Sequence, residues 1–300
     1  MTDKIEEDLH KQIRKICAPL FLGDIGGTNH TEKTDNATLT FVKFNEQYHL
    51  CTCKHVIDTA DKKNMCPQIW GEHKNWTFSV HINDDKNWEN NKILSSFKKV
   101  SGVDIAILTI HLEEIQELID EKELDFIDLD NFITPEYSQI TMLHAFGWLN
   151  EHKEHCDNYL VTKLAGSRVE VTSTLDPCSE KFFLCSTLPE EHHLFFSGMS
   201  GGPVIYHDRE NNVFYPVGIV FEGTPGSHLI EKNDESFFSG KDVVYSCLTL
   251  TPEIFSYWLN NALGEWEKPK YKNYSKNFYI DTFSHQNNVT RCTASKLQLF

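Results

Sequence analysis

The run Leu194–Tyr206, LFFSGMSGGPVIY, sets Ser200 among glycines, closes on Gly-Pro and has apolar residues on both sides. A serine hydroxyl is a weak nucleophile until a base takes its proton and a carboxylate orients that base. One reading of GMSGG is G-x-S-x-G, the nucleophile elbow of α/β-hydrolases, which needs a helix directly after the serine. Here Gly201, Gly202 and Pro203 would fill that helix's first turn, and VIYHDRENNVFYPVGIVF continues as two strands around a polar turn. The elbow is therefore set aside. Upstream, His55 closes an apolar strand, YHLCTCKHVID, where its ring would emerge at a rim. Asp104 opens DIAILTI, a strand that is apolar from its second residue on. These three residues are the candidate base, orienting acid and nucleophile.

Taken together, CKHVID, DIAIL and GMSGGP, in the order His, Asp, Ser, resemble the chymotrypsin-like (trypsin-fold) serine peptidases. FYPVGIVFEG (214–223) is similar to the strand after the nucleophile that lines the family's cleft, and TPEIFSYWL is similar to its terminal helix. The likeness spans roughly residues 35–262. It implies an all-β fold of two six-stranded antiparallel β-barrels, with N-terminal and C-terminal helices. It also implies a serine endopeptidase working through an acyl-enzyme. In that mechanism Ser200 attacks, His55 shuttles the proton, Asp104 holds the ring, and the N–H groups of Gly198 and Ser200 form the oxyanion hole. Phe221, Glu222 and Gly223 would pair with the substrate backbone. Leu194, six residues before the nucleophile, falls at the floor of the primary pocket. An apolar floor suits an apolar or small side chain, whereas Glu222 suits a basic one; both preferences stay open.

The chain departs from the digestive members at two places. Met199 stands where they carry the aspartate that pairs with a new N-terminus, and Val56 follows the histidine in place of a cysteine. FLGDIGGTNH offers no basic cleavage point. The expectation is an intracellular member without a zymogen clip, controlled by another domain, a regulatory protein partner or a ligand. The alternative is a catalytically silent trypsin-fold binding or scaffold module within a larger signalling or immune assembly.

The bulk composition is compatible with this reading. A formal net charge of −16 over 300 residues speaks against a nucleic-acid partner and against an anionic membrane surface. The first fifteen residues are charged and lack an apolar signal core, and no run reaches the length of a membrane span. The nine cysteines have no regular spacing and read as reduced thiols, so a cytoplasmic setting is expected. Cys51, Cys53 and His55 alternate along one strand, and His152, His155 and Cys156 cluster again. Neither set has paired C-x-x-C spacing, so no metal and no cofactor is expected.

The elements that must position these residues follow from periodicity. Ile5, Leu9, Ile13 and Ile16 predict an amphipathic helix over 3–17, ended by Pro19 and the glycines at 23, 26 and 27. ATLTFVKF, NEQ and YHLCTC predict a hairpin. Further strands are expected at 76–82, 92–97 and 104–110, then at 139–146, 159–164, 168–174, 181–186, 204–207, 213–221 and 242–248. Residues 111–130 carry nine carboxylates against Lys122 and read as a solvated connecting helix. Thr251 and Pro252 begin a helix that places Ile254, Phe255, Trp258 and Leu259 on one face. The expected divisions are 1–34 (lead-in), 35–110 (first barrel), 111–136 (acidic connection), 137–262 (second barrel and helix) and 263–300 (appendage).

Overall fold

The computed structural model describes residues 2–24, 35–63, 65–70, 77–79, 97–110, 112, 116, 119–120, 124–156, 159–172, 175–187, 196–211, 213–225 and 242–262. The chain opens with α1 (Thr2–Ile16). Leu9 and Ile13, one helical turn apart, are buried together against Phe146, Trp148, Leu164 and Ile205. The helix runs directly into β1 (Cys17–Asp24), a strand that the sequence reading took for a break. Pro19 fits there for a definite reason. Leu22 N–H turns to the Asp35 carbonyl, so by alternation the Pro19 nitrogen faces the opposite side. On that side the ladder begins only at Leu20, and no bond is lost.

The hairpin forms as expected from β2 (Asn36–Phe44) and β3 (Gln47–Thr52). Its turn is Asn45-Glu46, both at positive φ (51° and 60°), a geometry that matches strand twist. Asp130 stabilises the turn by accepting from both backbone N–H groups, at 2.5 and 3.0 Å. Next come α2 (Lys54–Lys63), β4 (Met65–Trp70), β5 (Thr77–Ser79), β6 (Lys98–Lys99), β7 (Ala106–Ile110) and β8 (Ile127–Asp128). They complete an eight-stranded sheet in the order β5-β4-β1-β2-β3-β7-β6, with β8 parallel to β2. Among the described residues this first sheet does not close into the expected barrel; residues 80–96 lie outside them. Most of the expected acidic helix also lies outside the described residues up to Glu123. From Leu124 the chain is not helical, and its apolar residues Leu124, Ile127 and Leu129 are buried.

The second half is a closed, six-stranded antiparallel barrel. Its strands are β9 (Met142–Cys156), β10 (Tyr159–Val171), β11 (Lys181–Thr187), β12 (Pro203–Asp208), β13 (Val213–Pro225) and β14 (Asp242–Thr249). They close in the order β10-β11-β14-β13-β12-β9. The two strands expected at 159–164 and 168–174 are one strand, β10, with an irregular register between Thr162 and Leu164. The final helix, α3 (Pro252–Asn261), has the predicted cap: Thr251 Oγ1 accepts from Ile254 N–H at 3.3 Å. The four residues assigned to its inner face are buried.

Four apolar clusters hold these layers, and one of them positions the site. Val42, Phe44, Cys51 and Ile107 of the first sheet pack with Ile219 and Leu248 of the barrel and with Phe255 and Trp258 of α3. The helix thus clamps the two halves together, and the candidate residues meet along that seam.

Candidate active site

His55 was expected at the end of a strand. It lies instead in the first turn of α2, because β3 stops at Thr52 and the chain turns over Cys53. A helix start leaves backbone N–H groups without partners, and a carboxylate there also suits the helix dipole. Asp104, in the turn before β7, supplies that carboxylate. Its Oδ1 accepts from His55 N–H at 2.9 Å, and its Oδ2 meets His55 Nδ1 at 2.6 Å. The same residue therefore caps the helix and grips the ring.

A carboxylate only accepts, so Nδ1 carries a proton, and in the neutral ring Nε2 is the acceptor. Burial works to raise the Asp104 pKa, but the hydrogen bonds and charge of His55, with Lys54 behind, outweigh it and hold the carboxyl below its ordinary value. The acid is ionised at neutral pH. The His55 side chain is 51% exposed and that of Asp104 30%, so the ring is open to a ligand while its partner is more sheltered.

Ser200 comes from the tight loop between Phe196 and Gly202. Its hydroxyl donates to the Phe221 carbonyl at 3.2 Å. That carbonyl is available because β13 is irregular there: Val220 faces Cys247 and Glu222 faces Ser246, leaving Phe221 between them outside the ladder. No hydrogen bond joins Ser200 to His55 among the described residues, so the structure unites His55 with Asp104 and leaves the serine beside them.

What the three share is Cys53. Its thiol sulfur and the donor atoms of His55 and Asp104 all lie within 4.8 Å of one another. The S–H faces the carbonyls of Val220 and Phe221 at 3.5 and 3.9 Å, and Ser200 lies within its reach. Burial pushes this thiol well above its ordinary pKa and the charge of Asp104 adds to that, with the Gly201 N–H and the Ser200 hydroxyl only partly opposing. A protonated, buried thiol is a poor nucleophile and a poor metal ligand. In the sequence Cys53 appeared only as a neighbour at period two. The structure makes it the packing contact between histidine and serine. Of the second histidine–cysteine set, His155 and Cys156 lie in β9 but their side chains are outside the described residues.

Gly198 and Gly201 have φ of +99° and +92°, a region that disfavours side chains. A Cβ on Gly198 would overlap the Trp148 carbonyl oxygen, and one on Gly201 the Thr38 carbonyl oxygen. The close approach that requires glycine is thus to the protein's own strands β9 and β2. Met199, the residue just before Ser200, is buried in the barrel core at 1% exposure.

Of the proposed substrate contacts, Leu194 lies outside the described residues. Glu222 is exposed, while Phe221 and Gly223 are half-buried. Lys181 sits over the Phe221 ring, 5.3 Å from its centre. β12 pairs with β13 only up to Ile219, whereas β14 follows it to Pro225. Among the described residues, the stretch after Phe221 therefore presents one strand edge without a strand partner.

No family profile and no curated protein matches the sequence. Among solved structures the chain is similar to a thermostable serine protease, AL20, from an extremophilic microorganism. The identity is 9% and the TM-score 0.41, over 82% of this chain and 95% of that one. Likeness at that level adds nothing to the chemistry, which rests on the geometry of His55, Asp104 and Ser200.

Proposed function

We propose that the protein is a serine endopeptidase with His55 as base, Asp104 as orienting acid and Ser200 as nucleophile. The observation that carries this is the double hydrogen bond from His55 to Asp104, which fixes both the ring's position and its tautomer. On substrate binding the Ser200 hydroxyl leaves the Phe221 carbonyl and turns to His55 Nε2. Its oxygen bonds to the scissile carbonyl carbon as its proton passes to the ring. The oxyanion is received by the N–H groups of Gly198 and Ser200. His55 then gives the proton to the leaving amine as the C–N bond breaks, and water repeats the sequence to release the acyl group. The open edge of β13 after Phe221 takes the substrate as an added strand, with Glu222 beside it. The substrate class is one or a few intracellular protein targets.

A second reading has one observation in its favour, the Ser200 hydroxyl resting on Phe221 rather than on His55. It makes the chain a silent binding module. A fluorophosphonate probe decides between them. Labelling of wild type but not of Ser200→Ala supports the peptidase, and labelling of neither, with candidate protein partners present, supports the binding module. Comparing new N-termini in cells expressing wild type or Ser200→Ala identifies the targets.

A further inference from the structure

The loop that carries Ser200 is held in an unusual way for a chain with a methionine at position 199. All five carbonyls from Ser197 to Gly201 are engaged. Ser197 O accepts from Asn150 N–H at 2.8 Å, and Gly198 O from the Thr38 hydroxyl at 2.7 Å. Met199 O accepts from Gly202 N–H and Ser200 O from Thr38 N–H, each at 2.9 Å, and Gly201 O from the Thr40 hydroxyl at 2.6 Å. Of the N–H groups in this stretch, Met199 and Gly201 have partners, and those of Ser197, Gly198 and Ser200 have none among the described residues. The last two are the pair of donors that an oxyanion needs.

The supports are themselves fixed. The Thr38 hydroxyl, fully buried, accepts from Trp148 N–H at 2.9 Å, so its own hydrogen is committed to Gly198 O. The Thr38 N–H is free for Ser200 because the β2–β3 ladder ends at Thr40–Cys51. Asn150 Nδ2 donates to Ser197 Oγ at 2.7 Å, while its Oδ1 accepts from Asn36 N–H at 2.8 Å and from Lys153 Nζ at 3.0 Å. Turning the Ser197–Gly198 peptide over, which would aim a carbonyl into the hole, breaks the bond from Asn150 N–H to Ser197 O, and the next peptide is held in turn by the Thr38 hydroxyl on Gly198 O.

We propose that Thr38 and Asn150 are positioning residues that fix the peptides on either side of Gly198, Asn150 N–H through Ser197 O and the Thr38 hydroxyl through Gly198 O, with the Gly198 N–H outward, so that the oxyanion hole is complete in the folded chain. This rests on the serine-peptidase reading and goes beyond it. The part an aspartate plays in clip-activated peptidases falls to two residues from other strands, and the hole needs no activating event. Control then acts on access or on the Ser200 rotamer, not on the shape of the hole.

The test measures fluorophosphonate inactivation of the full chain as a maximal rate and a half-saturating concentration, in wild type, Thr38→Val and Thr38→Ser. Valine keeps the shape and removes the hydroxyl, whereas serine restores the hydroxyl. In Thr38→Val the maximal rate is expected to fall by about 10–100-fold, less than or comparable to losing an oxyanion donor outright. The half-saturating concentration should move by less than about twofold, and Thr38→Ser should stay near wild type, because only transition-state binding is affected. Asn150→Ala gives a second variant that keeps the N–H on Ser197 O and removes the side-chain bond to Ser197 Oγ, so the same split is expected at smaller size. If wild type is labelled and both Thr38→Val and Asn150→Ala match it, the positioning role is overturned while the serine chemistry stands. If wild type is not labelled, the peptidase reading fails, and a crystal structure of the chain alone judges the loop. A Ser197 carbonyl on Asn150 N–H upholds the proposal, and one turned towards Ser200 overturns it.

Discussion

Replacing Asp104 with asparagine tests the reading of the site most sharply, because the backbone dictates which way the new side chain faces. His55 N–H is an obligatory donor and now sits 2.9 Å from Oδ1. The asparagine oxygen must take that position, which turns its NH₂ towards His55 Nδ1. The ring then accepts at Nδ1 and carries its proton on Nε2, where it can no longer receive one from Ser200. Recovering the right tautomer requires flipping the amide and setting N–H against N–H, a cost of about 1–3 kcal/mol for a donor left unsatisfied. The charge-assisted bond to the imidazolium formed during attack is lost as well, worth about 1.5–3 kcal/mol. Together these give about 2.5–6 kcal/mol, or roughly a 10²–10⁴-fold slower reaction at 1.36 kcal/mol per decade. The assay is the second-order rate of fluorophosphonate labelling at neutral pH, followed by intact mass, with the fold of the variant verified by its urea midpoint. A folded Asp104→Asn variant that labels within tenfold of wild type refutes the assignment of Asp104.

Two further outcomes follow from buried groups away from the chemistry. Burial pushes His49 down to about 4 from 6.5, with the Phe44 carbonyl and the charge of Asp130 only partly opposing. The folded state therefore binds this proton more weakly than the unfolded chain, so the stability it contributes is complete above pH 6.5 and is lost as pH falls towards 4. The loss amounts to about 3 kcal/mol. Urea midpoints at pH 7 and 4.5 should converge by that order in His49→Gln relative to wild type; equal acid sensitivity in both would remove His49 from the account. Met199→Asp places a carboxylate at a core position that is 1% exposed. Without a cation beside it the variant should lose about 3–5 kcal/mol, and an unchanged midpoint would mean that a positive group reaches this site.

Much of this architecture is legible in the sequence where a local rule and the fold agree. The β2–β3 hairpin alternates cleanly and its turn is polar. The strands of the closed barrel show the same period, and α3 carries a threonine cap followed by proline. The failures have physical causes. β1 is a nearly continuous apolar run holding a proline, and it is a strand because neighbours on both sides pair with it. α2 begins where it does because Asp104, 49 residues away, caps it. Residues 124–130 read as the end of an acidic helix, yet Asp128 and Asp130 spend their carboxylates on turns, Asp130 on the hairpin 84–85 residues upstream. Of the site, the three motif residues could be named in advance because each has a chemical type. Thr38 and Asn150 could not, since a threonine and an asparagine in strands have many uses. Their partners lie 160 and 47 residues along the chain.

The threading of the Ser200 loop onto β2 has a consequence for how the molecule is made. Synthesis delivers β2, with Thr38 and Thr40, and the His55–Asp104 pair early. The loop itself appears much later, and Gly201 N–H still awaits the Val220 carbonyl on β13. No nascent chain that stops before Val220 holds every anchor, whichever half folds first. A chain terminated between Asp104 and Ser200 carries the paired histidine and carboxylate without the serine they are proposed to serve.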